Sequence, residues 1–386
     1  MNRGTLCIAL AALAFGCGGG TQPAAGKFRH VMVDRQGPRD PWGKGVGDLN
    51  GDGRPDLIVG GRSGGGLVWY ENPGWTRHVV SADGAFSTDQ ESGDLDGDGR
   101  VDIISLTYDE VAWFRNGDWH RTDIATAHLH DIEVADLDGD GRLDVVGRGQ
   151  TAFGNAPPGI HLYFQRDSGW DSRELSAPPG EGLKVTDLDG DSLPDVVIGG
   201  EWLQNPGSPT GEWRAFTYAA DWHWADAFVA TGDLNGDGRM DVVLAPAEKP
   251  GTRYRLSWFE APADRTGAWT EHVVLEDVEA VHHFVGVGDF NQDGVMDIAT
   301  STMHQGQPPR EVAVYLQAAG SAAWNKLVLS DRGSHNMRVF DADGDGDPDL
   351  FGANWEGERQ QVELWINRQC TPEQGCASPA SPAQGN

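Results

Sequence analysis

Basic residues are scarce in this chain. Its 386 residues include 29 Lys and Arg against 59 Asp and Glu, a formal net charge of −30. No basic stripe is present to offset phosphate repulsion, which argues against nucleic acid as a partner. Cysteine is scarcer still, at four residues. No Cys–His arrangement suited to nucleophilic catalysis or a metal cluster surrounds them. No run has the periodicity of an amphipathic helix of ten or more residues. The apolar run near the N-terminus, Leu6–Phe15, is too short to span a bilayer. A nucleophile elbow, a P-loop and a dinucleotide fingerprint are all missing. Glycine, by contrast, is plentiful at 54 residues, and aromatic residues are well represented. That balance fits many short strands joined by turns rather than disorder.

The acidity is concentrated in one nine-residue motif, clearest at Asp136–Asp144, DLDGDGRLD. Carboxylates stand at its first, third, fifth and ninth positions, and Gly at the sixth. Calcium takes six to eight oxygen ligands, and alternating side chains let a short loop wrap it. Gly permits the sharp turn with positive φ. Seven copies supply the expected ligands. They are Asp48, Asn50, Asp52 and Asp56; Asp94, Asp96, Asp98 and Asp102; Asp136, Asp138, Asp140 and Asp144; Asp187, Asp189, Asp191 and Asp195; Asp233, Asn235, Asp237 and Asp241; Asp289, Asn291, Asp293 and Asp297; and Asp341, Asp343, Asp345 and Asp349. A single copy could be an ordinary Asp-Gly turn; seven in register point to up to seven structural calcium ions. These positions carry twenty-five carboxylates, so seven divalent ions would cancel about half the net charge. Two copies depart from the pattern. Ser192 replaces the sixth-position Gly, at a cost of about 1 kcal/mol if φ is positive there. Gln292 replaces the fourth-position Gly. The fourth site is therefore expected to bind most weakly.

Motif starts are separated by 46, 42, 51, 46, 56 and 52 residues, a repeat architecture. Each period carries four strand-like runs. One ends at the first Asp, as in Ile132–Asp136, and the next begins at the last Asp, as in Asp56–Gly61. The third is aromatic and alternating, as in Leu67–Pro73, Val111–Gly117, Ile160–Gln165 and Val362–Arg368. The fourth follows a Trp, as in Trp75–Val80 and Trp269–Val274. Four short antiparallel strands repeated seven times predict an all-β, seven-bladed β-propeller. The seventh repeat lacks its fourth strand, whereas FRHVMVD at Phe28–Asp34 matches the fourth-strand pattern. Residues 28–33 are therefore expected to complete the last blade and protect its edge.

The motif, its place between the first two strands and the repeat length resemble the FG-GAP/VCBS repeats. These build integrin-α-like propellers and many bacterial surface lipoproteins. The resemblance covers nearly all of residues 27–368 and implies the fold and calcium; it says little about activity. At the N-terminus, Arg3, the apolar run and Ala14-Phe15-Gly16-Cys17 resemble a bacterial lipoprotein signal whose Cys17 is lipidated. An ordinary secretory signal cleaved nearby is the alternative. The expected organisation is a signal peptide at 1–17, a flexible tether at 18–26, the propeller at 27–368, and a Cys loop with a disordered tail at 369–386. In an oxidising compartment Cys370 and Cys376 are expected to close a disulfide. The protein is expected outside the cytoplasm, anchored to a membrane through its lipid, at the bacterial outer membrane or cell surface.

Strand direction alternates, so the motif loops share one face and the loops entering each first strand share the other. His30, His78, His120 and His272 recur in fourth strands and are expected to be structural. Six residues before each first Asp stand Trp42, Thr88, His130, Glu181, Ala227, His283 and His335. First strands line a propeller's central channel, so His130, His283, His335 and Glu181 could converge there. At about 3.3 Å per residue, that point lies roughly 20 Å from the motif loops. Imidazoles beside a carboxylate suit zinc or another transition metal; the plain alternative is a set of histidines satisfied by one another at a polar channel mouth. Trp42, Trp222, Trp224 and Trp355 map to the same face and suit a sugar. Asp89, Glu91, Asp131, Glu133, Asp221 and Asp226 add carboxylates. Two functions follow. The first is a monomeric, calcium-stabilised scaffold binding carbohydrate or protein on the face opposite the calcium. The second, by resemblance to the propeller part of fungal aldos-2-ulose dehydratase, is a metal-dependent sugar lyase using the histidine cluster.

Overall fold

The computed structural model describes residues 27–150, 158–318, 323–357 and 360–368. Twenty-eight strands form seven four-stranded antiparallel sheets, with no helix among the described residues. Blade 1 is typical: Pro41–Gly47, Asp56–Gly61, Gly66–Glu71 and Thr76–Ser81 pair in sequence order. Blade 7 takes His335–Phe340, Asp349–Ala353 and Val362–Ile366 from the C-terminal end and Arg29–Asp34 from the N-terminal end. The pairing runs antiparallel from Arg29 opposite Ile366 to Asp34 opposite Val362. The closing strand therefore lies where the sequence put it, one residue further along.

First strands touch their counterparts in both neighbouring blades all the way round, forming the channel wall. The core is not central. Seven apolar clusters each fill the space between two consecutive blades. Alternation along one strand explains this. In Asp56–Gly61, Leu57 and Val59 pack toward blade 7, while Ile58 packs toward blade 2. Both faces of a middle strand are buried, so apolar residues run consecutively there, as in Leu57–Val59 and Val242–Ala245, rather than at alternate positions. The second strands of blades 1, 2, 3, 4, 5 and 7 are buried at every residue.

Three recurrent histidines belong to this scaffold. His78 stacks on Trp69 at 4.2 Å and meets Glu71 Oε2 at 2.7 Å. His272 repeats this with Trp258 and Glu260, and His30 lies against Trp365 and Glu363. Cys17, Cys370 and Cys376 lie outside the described residues.

Candidate functional site

Two separate constellations occupy opposite faces. The first is the ring of motif loops. In the third copy, Asp136 Oδ1 accepts the N–H groups of Gly139 (2.8 Å) and Asp140 (3.1 Å), and Oδ2 accepts that of Gly141 (2.9 Å). Gly139 and Gly141 have φ of +74° and +86°. Ser192 is forced into the same region, at +74°, and Gln292 lies at +57°. The first, third and ninth Asp of copies two, three, four and seven each place one oxygen within 4.8 Å of the others, an arrangement that could hold a metal ion. Asp138 Oδ1 is buried without a hydrogen-bond partner. The fifth-position Asp stays outside these groups: Asp140 accepts the Arg142 N–H and pairs with its guanidinium.

All seven ninth-position Asp residues are fully buried. Each has one oxygen on the N–H of motif position two and the other on an N–H at or just past the end of the third strand. For Asp56 these are Leu49 (2.9 Å) and Asn72 (2.8 Å). Burial pushes Asp56 up to about 6, Asp195 to about 7 and Asp349 to about 8, with neighbouring motif carboxylates adding to the rise.

The residue that ends or follows the third strand has a second role that the sequence reading missed. Its side chain reaches the position-two carbonyl of the preceding blade. Asn72 donates to Ala342 O, Asn116 to Leu49 O, Gln165 to Leu95 O, Asn205 to Leu137 O and Asn367 to Phe290 O. Gln317 makes the same bond to Leu234 O at 3.2 Å once its amide nitrogen is turned inward. Blade 5 has Ala261 there, and Arg265 reaches Leu188 O instead. Every loop is thus tied to the next, seven times around the ring.

The second constellation lies at the channel mouth on the other face. A pocket of about 290 Å³ is lined by Trp42, Thr88, His130 and His283, four of the residues six before a motif, together with Arg62 and Trp355. Beneath it His130 Nε2 lies 3.3 Å from Glu181 Oε2, and His283 Nε2 lies 3.6 Å from Glu181 Oε1. Glu248 Oε1, from the loop after the second strand of blade 5, approaches His283 Nε2 at 2.6 Å. His130, Glu181 and His283 form a group that could hold a metal. His335 is outside that group; its ring stacks on His283 at 4.0 Å and 20°. Burial, with Glu248, Asp131 and Asp226 close by, holds Glu181 well above the usual carboxylate range. Burial works to lower His130, but the charges of Asp131, Glu248 and Asp89 outweigh it and the net shift is upward. Burial and the neighbouring His283 and Lys44 push His335 well below an ordinary imidazole.

Trp42 and Trp355 stack at 5.1 Å, with the Arg62 guanidinium 4.5 and 4.7 Å from their ring centres. Trp222 and Trp224 do not join them. Both are buried in the apolar cluster between blades 4 and 5, with their N–H groups on the carbonyls of Trp224 and Ala247. Below the pocket the channel is polar: Arg338 pairs with Asp89 and Glu91, and Lys184 with Glu133. Asp131 Oδ2 accepts the Gly182 N–H at 2.9 Å.

An FG-GAP-like repeat model matches residues 94–147, 187–244 and 233–300, which hold motif copies two to six. The chain therefore carries FG-GAP-like repeats. No curated protein matches it. Among solved structures, BBS1N in complex with ARL6DN aligns at 10% identity and a TM-score of 0.56, covering 89% of this chain and 98% of that one. The V. cholerae biofilm matrix protein Bap1 aligns at 11% identity and a TM-score of 0.45, covering 86% and 88%. At such identities the likeness to BBS1N is one of fold alone.

Proposed function

We propose that this protein is an extracytoplasmic, lipid-anchored interaction scaffold whose seven motif loops hold calcium, and whose channel mouth on the opposite face binds carbohydrate. The observation that carries the ligand is the Trp42–Trp355 pair, stacked beside Arg62 over a polar floor. Such ring faces cover apolar C–H patches of a sugar, while neighbouring donors and acceptors take its hydroxyls. Calcium is structural in this reading. The carboxylates crowded in each loop repel one another, and a hard divalent ion removes the repulsion and fixes the turn. The lyase reading is not favoured; the fold and repeats support a scaffold.

Titration with soluble polysaccharides, followed by tryptophan fluorescence, tests the ligand. Binding is expected to change the signal, and Trp355→Ala to weaken it about tenfold or more. Binding of proteins but of no glycan would make protein the ligand. Binding unaffected by Trp355→Ala would remove this pocket from the account. The anchor rests on Cys17. Cys17→Ala is expected to move the protein from the membrane fraction to the soluble one; unchanged fractionation would contradict lipidation there.

A further inference from the structure

We propose that His130, Glu181 and His283, with Glu248 closing on His283 beside them, form a site for one zinc-class transition-metal ion at the channel mouth, distinct from the Asp-rich loops. Bond lengths of about 2.0–2.1 Å to a tetrahedral ion place its ligand atoms roughly 3.3–3.5 Å apart. The His130 Nε2–Glu181 Oε2 and His283 Nε2–Glu181 Oε1 separations are 3.3 and 3.6 Å, close to two edges of that tetrahedron. The shorter contact, 2.6 Å from His283 Nε2 to Glu248 Oε1, is a hydrogen bond that metal binding would replace. For the ion to take its place, Nε2 gives its proton up to solvent and the neutral imidazole carries its one proton on Nδ1.

Two further observations point to a ligand rather than a self-satisfied cluster. Glu181 is completely buried, yet its Oε1 has no hydrogen-bond partner. A buried carboxylate oxygen with no donor is unfavourable unless something positive meets it. Around it some of the supporting contacts of a metal site are in place, although His283 Nδ1 is buried without a partner. His130 Nδ1 lies 3.2 Å from Asp131 Oδ1, which would orient the ring with Nε2 toward the ion. Gln150 Nε2 donates to Glu181 Oε2 at 2.7 Å. His335 stacks behind His283 and fixes its plane. Glu248 holds φ of +67°, a left-handed conformation uncommon outside Gly, while its carboxylate meets His283. Two imidazole nitrogens with carboxylates suit zinc or a neighbouring transition metal; calcium takes six to eight oxygens instead. His130, His283 and Glu248 also line the pocket beneath Trp42 and Trp355, so an ion here would face whatever the pocket binds.

This site does not depend on the scaffold reading, and the experiment keeps the two apart. Full-length protein is stripped with a chelator, returned to excess Ca2+ to occupy the loops, and titrated with Zn2+ by calorimetry. One equivalent of zinc is expected, and Co2+ in its place is expected to give the visible absorption of a four-coordinate centre. His130→Ala and Glu248→Gln should each weaken zinc binding at least tenfold while leaving circular dichroism and calcium-dependent melting unchanged. Should His130→Ala fail to fold, Glu248→Gln, at the pocket wall, decides alone. No zinc uptake by the folded protein, or equal affinity in the variants, would overturn the proposal, whatever calcium does.

Discussion

The ninth-position Asp has an architectural role whether or not its loop holds an ion. Its two oxygens join the motif loop to the end of the third strand, so it is needed even before a metal is considered. Without an ion it is also a buried charge. An unfolded Asp titrates near 3.9, whereas Asp56, Asp195 and Asp349 lie at about 6, 7 and 8 in the folded metal-free chain. Between those values the folded state binds more protons than the unfolded state. The contribution is therefore fully present below about pH 4 and is lost as pH rises through 6 to 8. Chelator-treated protein is expected to melt several degrees higher at pH 5 than at pH 8, and saturating calcium to flatten that slope. A metal-free melting temperature that rises over this interval would contradict the assignment. Ser192 illustrates a smaller conflict. Its φ of +74° keeps its N–H on Asp187 Oδ2 at 3.0 Å, so the loop geometry prevails over a strain of about 1–2 kcal/mol.

At the scale of elements, the amide that crosses between blades matters most. Asn205 is buried, and its Nδ2 donates to Leu137 O at 2.9 Å and Pro194 O at 3.0 Å. Asn205→Ala would leave two buried carbonyls short of a donor and is expected to destabilise the protein by about 1–3 kcal/mol in denaturant unfolding. A change within experimental error would show that the tie carries no stability. The recurrent Asn or Gln was visible in third-strand endings such as ENP and RNG. Its role was not, because the partner carbonyl lies 68 residues away in sequence for Asn205. The closing strand was legible because its pattern matched six other copies. Convergence of the residues six before each motif was legible from register alone; side-chain direction was not. The first strands of blades 1, 2, 6 and 7 shift register near those positions, at Pro41/Gly43, Phe86/Gln90, His282/Val285 and His335/Arg338. Such bulges re-aim side chains and break the alternation a sequence argument relies on. His335 stacks on His283 and stays outside the group, whereas His283, within a shift of the same kind, joins it. Glu248 had no signal, since it comes from a loop of variable length between the second and third strands.

For the whole molecule, stability is distributed around a ring. Seven apolar clusters lie between blades, seven side-chain ties link consecutive loops, and the N-terminal strand closes the last sheet. Among the described residues no blade has a core of its own, so loosening one loop weakens both neighbours and unfolding should be cooperative. The motif loops sit on this circuit: the position-two residue that takes the next blade's amide also donates its N–H to the ninth Asp. If calcium fills the loops, it acts on every inter-blade joint at once. The most direct test is thermal unfolding of the full chain at neutral pH, in calcium, in chelator, and in chelator followed by excess calcium. The account predicts one cooperative transition that falls by 10 °C or more in chelator, in a propeller of this size roughly the effect of losing about 7 kcal/mol, and returns when calcium is restored. A melt that is the same in all three conditions would contradict it.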